Sequence, residues 1–183
     1  MLLSKIPVLD KGYVALISSC NANEALTNIK DEFFGGELLN KADTEIITSM
    51  ANMTLAIKCP LFVQLNLAKF GLTILTAKQE AVEAYVPNET EIKGKDLQTN
   101  RVIAENMRRT TEALLINPLA YQKDGCDKFV SQIMSPVSVY NTLIVHGTLK
   151  QWMSFCEQEK LPNPIEAYRS TVTDMVTAVW AFT

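Results

Sequence analysis

An α+β fold is predicted for this chain, on three observations. Segments rich in β-formers, bounded by glycine, proline and asparagine, fall in the first half. Helical spacing of apolar residues dominates from about residue 96 onward. No internal repeat, low-complexity stretch or linker divides the 183 residues, so residues 1–183 read as one domain. The expected architecture is a small mixed sheet from the N-terminal half, packed by a helical C-terminal half.

Gly12 to Ser18, GYVALIS, reads as the first strand. Asn21 or Asn23 then caps a helix with Ala25, Leu26, Ile29 and Phe33 on its apolar face, ended by Gly35-Gly36. Asp43 caps a short helix containing Ile46, Ile47 and Met50. Met53 to Cys59 alternates as a strand should. Pro60 suits the first turn of a helix that Gly71 terminates, and its near-continuous apolar surface makes it a central one. Leu72–Thr76 and Ala81–Val86 are strand-like, with the polar Lys78-Gln79-Glu80 between them, and Asn88 to Lys95 is a polar loop.

Asp96 or Thr99 begins a long helix to about Ile116. Its expected buried stripe is Val102, Ile103, Met107, Thr110 and Leu114, with Arg101, Glu105, Arg108, Arg109 and Glu112 in water. Asp127 to Met134 reads as a turn or two of helix. Pro136 starts a further helix to about His146, which Gly147 breaks. Thr148 caps the next, to about Glu159. Asn163-Pro164 opens the last, whose apolar spacing runs from Ile165 to Trp180.

Composition narrows the function classes. Hydrophobic residues at 48% and charged residues at 20% describe a chain that folds around a core. A net charge of −3 and a pI near 5.3 argue against a broad nucleic-acid-binding surface. No apolar run reaches the length of a membrane span, and Met1 to Lys5 carries no long apolar leader, so a cytoplasmic, membrane-free protein is expected. Cys20, Cys59, Cys126 and Cys156 are widely spaced and His146 is the only histidine, which argues against a metal site. His146 is expected at a helix C-terminus, where the dipole favours it, rather than as a catalytic base. The carboxylate pairs Glu80/Glu83 and Glu89/Glu91 read as solvated surface. Lys93, Lys95, Arg101, Arg108 and Arg109 form the main basic cluster, either balanced by Glu105 and Glu112 or meeting a phosphate through Arg108 and Arg109. Trp152 is expected in the core, and Trp180 and Phe182 at a subunit interface.

Three blocks carry a resemblance. They are Val8–Ile17, VLDKGYVALI; Pro60–Pro87, PLFVQLNLAKFGLTILTAKQEAVEAYVP; and Met134–Phe155, MSPVSVYNTLIVHGTLKQWMSF. In this order the chain resembles the flavin-dependent thymidylate synthases, the ThyX family. Leu61-Phe62-Val63 matches the start of the family's signature helix and Tyr85 its closing tyrosine. Pro136, Tyr140, Lys150 and Phe155 fall at the spacings of its Leu-Pro, Tyr-Thr and Asn-x-Arg-x-x-x-x-Phe run. The resemblance implies a ThyX-like fold and a homotetramer with active sites between subunits. It further implies FAD, dUMP and methylene-tetrahydrofolate as ligands, with NADPH-dependent methylation of dUMP to dTMP. The nucleotide- and flavin-binding positions it implies are Asn66, Lys69, Gln132, Tyr140, Thr148, Lys150 and Arg169.

The family's arginines are largely replaced. Lys69, Phe70 and Gly71 stand where it has Arg-His-Arg; Gln132, Glu159 and Tyr168 stand at further arginine positions, with Arg169 one residue late. No arginine lies between Met1 and Asn100. Losing four charge-assisted phosphate contacts costs on the order of 6 kcal/mol or more. The expectation is a diverged homologue, catalytically impaired or repurposed for nucleotide, flavin or partner binding, and homo-oligomeric. The alternative is an active FAD-dependent thymidylate synthase with an atypical site.

Overall fold

The computed structural model describes residues 4–20, 49–92, 94–127, 130, 133 and 135–179, for residues 79–82 the backbone alone. Gln132, Trp180, Phe182 and the expected helix after Asn21 lie outside the described residues, as does the expected helix after Asp43 except for Ser49 and Met50, which are helical.

Among the described residues the chain is α+β. Strands β1 (Lys5–Val8), β2 (Gly12–Ser19), β3 (Asn52–Pro60), β4 (Thr73–Ala84) and β5 (Val139–Thr148) form one sheet in the order β1-β2-β3-β5-β4. Every neighbouring pair is antiparallel. Helices α1 (Leu61–Leu67), α2 (Leu97–Lys123), α3 (Leu149–Cys156) and α4 (Asn163–Val179) complete the fold.

The second half contributes more than helices. Val139–Thr148 is a strand paired with both β3 and β4, not the helix expected from Pro136 to His146. Val139, Leu143 and Val145 are buried while Ile144 and His146 are exposed, a period of two. His146 therefore sits mid-sheet, its Nδ1 2.9 Å from Thr54 Oγ1, rather than at a helix end. The segments around Lys78-Gln79-Glu80 make one strand, β4, whose register against β5 shifts between Thr76 and Lys78 and again between Gln79 and Ala84. Val8–Ile17 is a hairpin, β1 turning at Asp10-Lys11 into β2.

One sheet face carries the core. Met53, Leu55, Ile57 and Cys59 of β3 alternate inward and join Leu143 and Val145 of β5. Trp152 and Phe155 of α3, Tyr168 and Val172 of α4, and Val63 and Leu67 of α1 cover them. The Trp152 indole donates to the Met53 carbonyl at 3.1 Å, so its one polar atom is satisfied inside the core. Burial of each such large side chain stabilises the fold by about 1.5–3 kcal/mol.

α1 follows Pro60 as expected and passes through a 3-10 turn, Ala68–Phe70, to Gly71 at φ 69°, the left-handed conformation that glycine takes without strain. It buries Val63, Asn66 and Leu67, but Leu65 faces solvent, so it is less enclosed than expected. α2 starts where Asp96 caps it, accepting from Thr99 N at 2.7 Å, and runs past Ile116 to Lys123. Its expected buried stripe is not buried in the protomer: Val102, Met107 and Thr110 are exposed, and Pro118 is its one buried residue among those described.

Gly12 shows how tightly α4 meets the hairpin. A Cβ there would stand 1.8 Å from the Tyr168 hydroxyl oxygen and 2.7 Å from the carbonyls of Lys58 and Val8. Tyr168 donates that hydroxyl to the Lys58 carbonyl at 2.7 Å. Gly12→Ala is expected to cost about 1–3 kcal/mol, through displacement of Tyr168 and two backbone segments. A urea denaturation midpoint unchanged from wild type would refute this.

Candidate functional site

The residues singled out by sequence fall at two ends of the sheet. Tyr140 pairs with Pro60 at one end of β5 and Thr148 with Asn52 at the other. Eight strand residues separate them by roughly 27 Å, so one protomer does not bring both to a single small ligand.

At the Thr148 end, Gln151 Nε2 donates to the Gly71 carbonyl at 2.6 Å, and Phe70 packs edge-on against Phe155 with ring centroids 5.6 Å apart. These contacts dock the 3-10 turn on α3 and set exposed Lys69 and Lys150 on adjacent elements. Thr148 caps α3 as expected. Its hydroxyl accepts from Gln151 N at 3.3 Å, and Gln151 Oε1 accepts from Thr148 N at 2.8 Å, a capping box.

Asn66 and Arg169 each bond residues at the C-terminal end of α3, and both are engaged by protein. Asn66 is 6% exposed; its Nδ2 donates to Gln158 Oε1 at 3.2 Å. Gln158 in turn donates to the Phe155 carbonyl at 2.9 Å. Arg169 donates to both Glu166 oxygens, at 2.8 and 2.5 Å, and to the Cys156 carbonyl at 2.7 Å. This guanidinium covers the helix end where carbonyls lack partners. The Glu166 carboxylate holds the Arg169 pKa above its ordinary value.

At the other end, Tyr140 is fully buried and donates to Asp10 Oδ1 at 2.5 Å. Burial first, then Asp10, pushes the phenol pKa up, so it stays protonated. Lys58 lies 5.7 Å from the Tyr140 ring centre and pairs with Glu83. Glu83, Glu89 and Glu91, expected as solvated carboxylates, are instead partnered: with Lys58, with Arg101 at 3.0 Å, and with the Tyr85 hydroxyl at 2.8 Å.

A concavity near this end of the sheet is not expected from the sequence. A groove of about 840 Å³ runs between the β1–β2 turn (Asp10, Lys11), the Ala84–Thr90 segment and the face of α2 bearing Arg101, Arg108 and Leu115. A smaller hollow of about 480 Å³ lies across Pro87, against Lys160–Pro164. The wall between them is pinned: Asn88 N donates to Glu91 Oε2 at 2.8 Å, Thr90 N donates to Asn88 Oδ1 at 2.9 Å, and Tyr85 N donates to the Ser138 carbonyl at 2.9 Å. On α2, Arg108 donates to Glu105 at 2.8 and 3.0 Å and to Glu112 at 2.6 Å. Arg109 adds 2.8 Å to Glu105, whose pKa falls to about 2 under the two guanidinium bonds. The sequence signal for this face is the seven-residue spacing of Arg101 and Arg108 on a helix.

Solved structures share this architecture. The UMP/dUMP methylase PolB from Streptomyces cacaoi, bound with 5-Br dUMP, matches with a TM-score of 0.70 at 15% identity, over 96% of this chain and 94% of that one. The fold is ThyX-like. PolB bound with 5-Br UMP matches with a TM-score of 0.75 at 14% identity, over 96% and 93%. No protein-family profile matches the sequence, and no curated protein sequence matches it significantly.

Among the described residues the implied donors do not come together as a flavin diphosphate cradle. Asn66, Thr148, Tyr140 and Arg169 are bonded within the protein, Lys69 and Lys150 are exposed, and Gln132 lies outside the described residues. Among the described residues no group of three His, Cys, Asp or Glu is placed to hold a metal ion, and no helix is long and apolar enough to cross a membrane. Cys59 is buried and its thiol pKa is pushed up by desolvation, which makes it unreactive.

A pH test follows from Lys58–Glu83. Its hydrogen bond from Lys58 holds the Glu83 pKa below the ordinary 4.5. The stabilisation is full above that value and fades as pH falls through the lowered one. Glu83→Gln is expected to lower the urea midpoint at neutral pH and to converge on wild type in acid. A constant offset at every pH would reject the assignment.

Proposed function

We propose that this protein binds a pyrimidine nucleotide and has lost, or exchanged, the flavin-dependent methyl transfer of the enzymes it resembles. The observation that carries the reading is the fold shared with PolB, a methylase bound with 5-Br dUMP and 5-Br UMP, over nearly the whole of both chains. The impaired-catalysis part rests on the engagement of Asn66 and Arg169 by Gln158, Glu166 and a backbone carbonyl.

Purified protein is expected to be colourless and to bind dUMP or UMP in calorimetry. It is expected to release no tritium from C5-labelled dUMP when FAD, NADPH and methylene-tetrahydrofolate are supplied. A yellow protein that releases tritium would establish the alternative, an active flavin-dependent thymidylate synthase. Failure to bind either nucleotide would remove the nucleotide reading altogether.

The same reading includes self-association. α2 leaves Val102 at 54% and Ile116 at 63% exposure on one side, and the open sheet face carries Leu75 at 61% beside its cross-strand partner Ile144. A helix some 40 Å long gains most of its stability from packing an apolar face, and a second copy is the occupant proposed. Sedimentation is expected to show an oligomer that Val102→Glu with Ile116→Glu shifts to monomer. A wild-type monomer at working concentrations would exclude it.

A further inference from the structure

We propose that the groove between α2 and the Ala84–Thr90 segment is an anion site that takes the phosphate end of the nucleotide, through Arg101, Arg108 and Lys11. This rests on the nucleotide-binding reading and gives it a location different from the one the family resemblance implies.

The groove's volume, about 840 Å³, lies within the range of small-molecule sites, roughly 300–1,000 Å³. Arg101 and Arg108 line it from one helix face, about 10 Å apart along the axis. Lys11 lines it from the β1–β2 turn, and Val86, Pro87 and Leu115 give an apolar wall for the uncharged part of a ligand. At the Lys69–Lys150 edge, by contrast, the neighbouring implied contacts are turned into the protein.

Four carboxylates also line the groove, and each already has a partner. Asp10 accepts from Tyr140, Glu89 from Arg101, and Glu105 and Glu112 from Arg108. The arginines involved are exposed, at 70% and 51% of the side chain, and exposed pairs of this kind are weak. A phosphate offers the same guanidinium forks stronger charge-assisted bonds and more oxygens. Glu89, Glu105 and Glu112 therefore hold the arginines in place until a phosphate displaces them.

The test is calorimetric titration with dUMP and, separately, with inorganic pyrophosphate. Arg101→Ala with Arg108→Ala is expected to weaken both at least tenfold, and Lys69→Ala with Lys150→Ala to leave both within twofold. Glu105→Gln with Glu112→Gln is expected to tighten both several-fold, because the competing carboxylates are removed. Lys11→Glu, on the β1–β2 turn rather than on α2 itself, repeats the test should the double arginine variant fail to fold, and is expected to weaken both ligands. Loss of dUMP binding confined to the Lys69→Ala, Lys150→Ala variant would overturn the groove assignment and leave nucleotide binding intact. Pyrophosphate binding lost in the arginine variant, without any nucleotide binding by wild type, would keep an anion site and overturn its nucleotide assignment. No pyrophosphate binding at all would overturn the groove as an anion site.

Discussion

The pairing of β3 with β5 is the constraint on which the rest of the molecule depends. Its register is unbroken from Asn52↔Thr148 to Pro60↔Tyr140. Both β3 and β4 are antiparallel to β5, so they are parallel to each other, and the chain between them must return the full length of the sheet. α1, the 3-10 turn and Gly71 make that return, which brings Thr73 opposite His146, beside the start of α3. The Gly71–Gln151 bond and the Phe70–Phe155 contact are consequences of this path. So is the separation of Tyr140 from Thr148, which no side-chain rearrangement can close.

The same pairing sets the two faces of the sheet apart. Inward residues of β3 and β5 meet α1, α3 and α4, and the polar atoms trapped there are matched one by one, Trp152 to Met53 and Tyr168 to Lys58. Asn141 Oδ1 is the exception among the described side chains, buried with no partner while its Nδ2 donates to Gln64 at 2.9 Å. The outward face keeps Leu75 and Ile144 in contact with water, an apolar pair on a face that antiparallel sheets usually fill with polar residues. One face of the sheet is thus covered within the chain, and the other leaves an apolar cross-strand pair exposed.

How much of this the sequence showed depends on whether the signal was local. Pro60, Gly71, Asp96, Thr148 and Asn163-Pro164 act within a turn of themselves, and each marks its boundary within a residue or two. A helix is expected at β5 because Val139 with Leu143, and Tyr140 with Ile144, are spaced by four as well as by even numbers; a short apolar run satisfies both periods. Its β-branched content was the better guide. The α2 stripe has the helical spacing but is not buried, because periodicity reports a face and not what covers it. The site was the least legible part. Asn66 finds Gln158 across 92 residues, and the groove combines a hairpin turn, a loop and a helix that have no sequence relation. Family spacing located Lys69 and Lys150 but not what holds their neighbours.

Polar residues kept at a binding site and polar residues kept for structure differ in where their hydrogen bonds go. Asn66 and Arg169 make theirs to α3 and its C-terminal end. Turning Asn66 toward a ligand would take its bond from Gln158, and turning Arg169 would leave the Cys156 carbonyl at the end of α3 without that partner, at a cost of about 1–3 kcal/mol where the group left unpaired is buried. A ligand contact there must first repay that loss. Arg101 and Arg108 differ in that their own side chains are well exposed and the bonds they make go to the carboxylates of Glu89, Glu105 and Glu112, so releasing them uncovers no backbone carbonyl. A phosphate at the α2 groove would displace side-chain carboxylates alone, whereas at Asn66 and Arg169 it would displace contacts that include a backbone carbonyl, and that difference rather than alignment is what favours the groove as the proposed anion site.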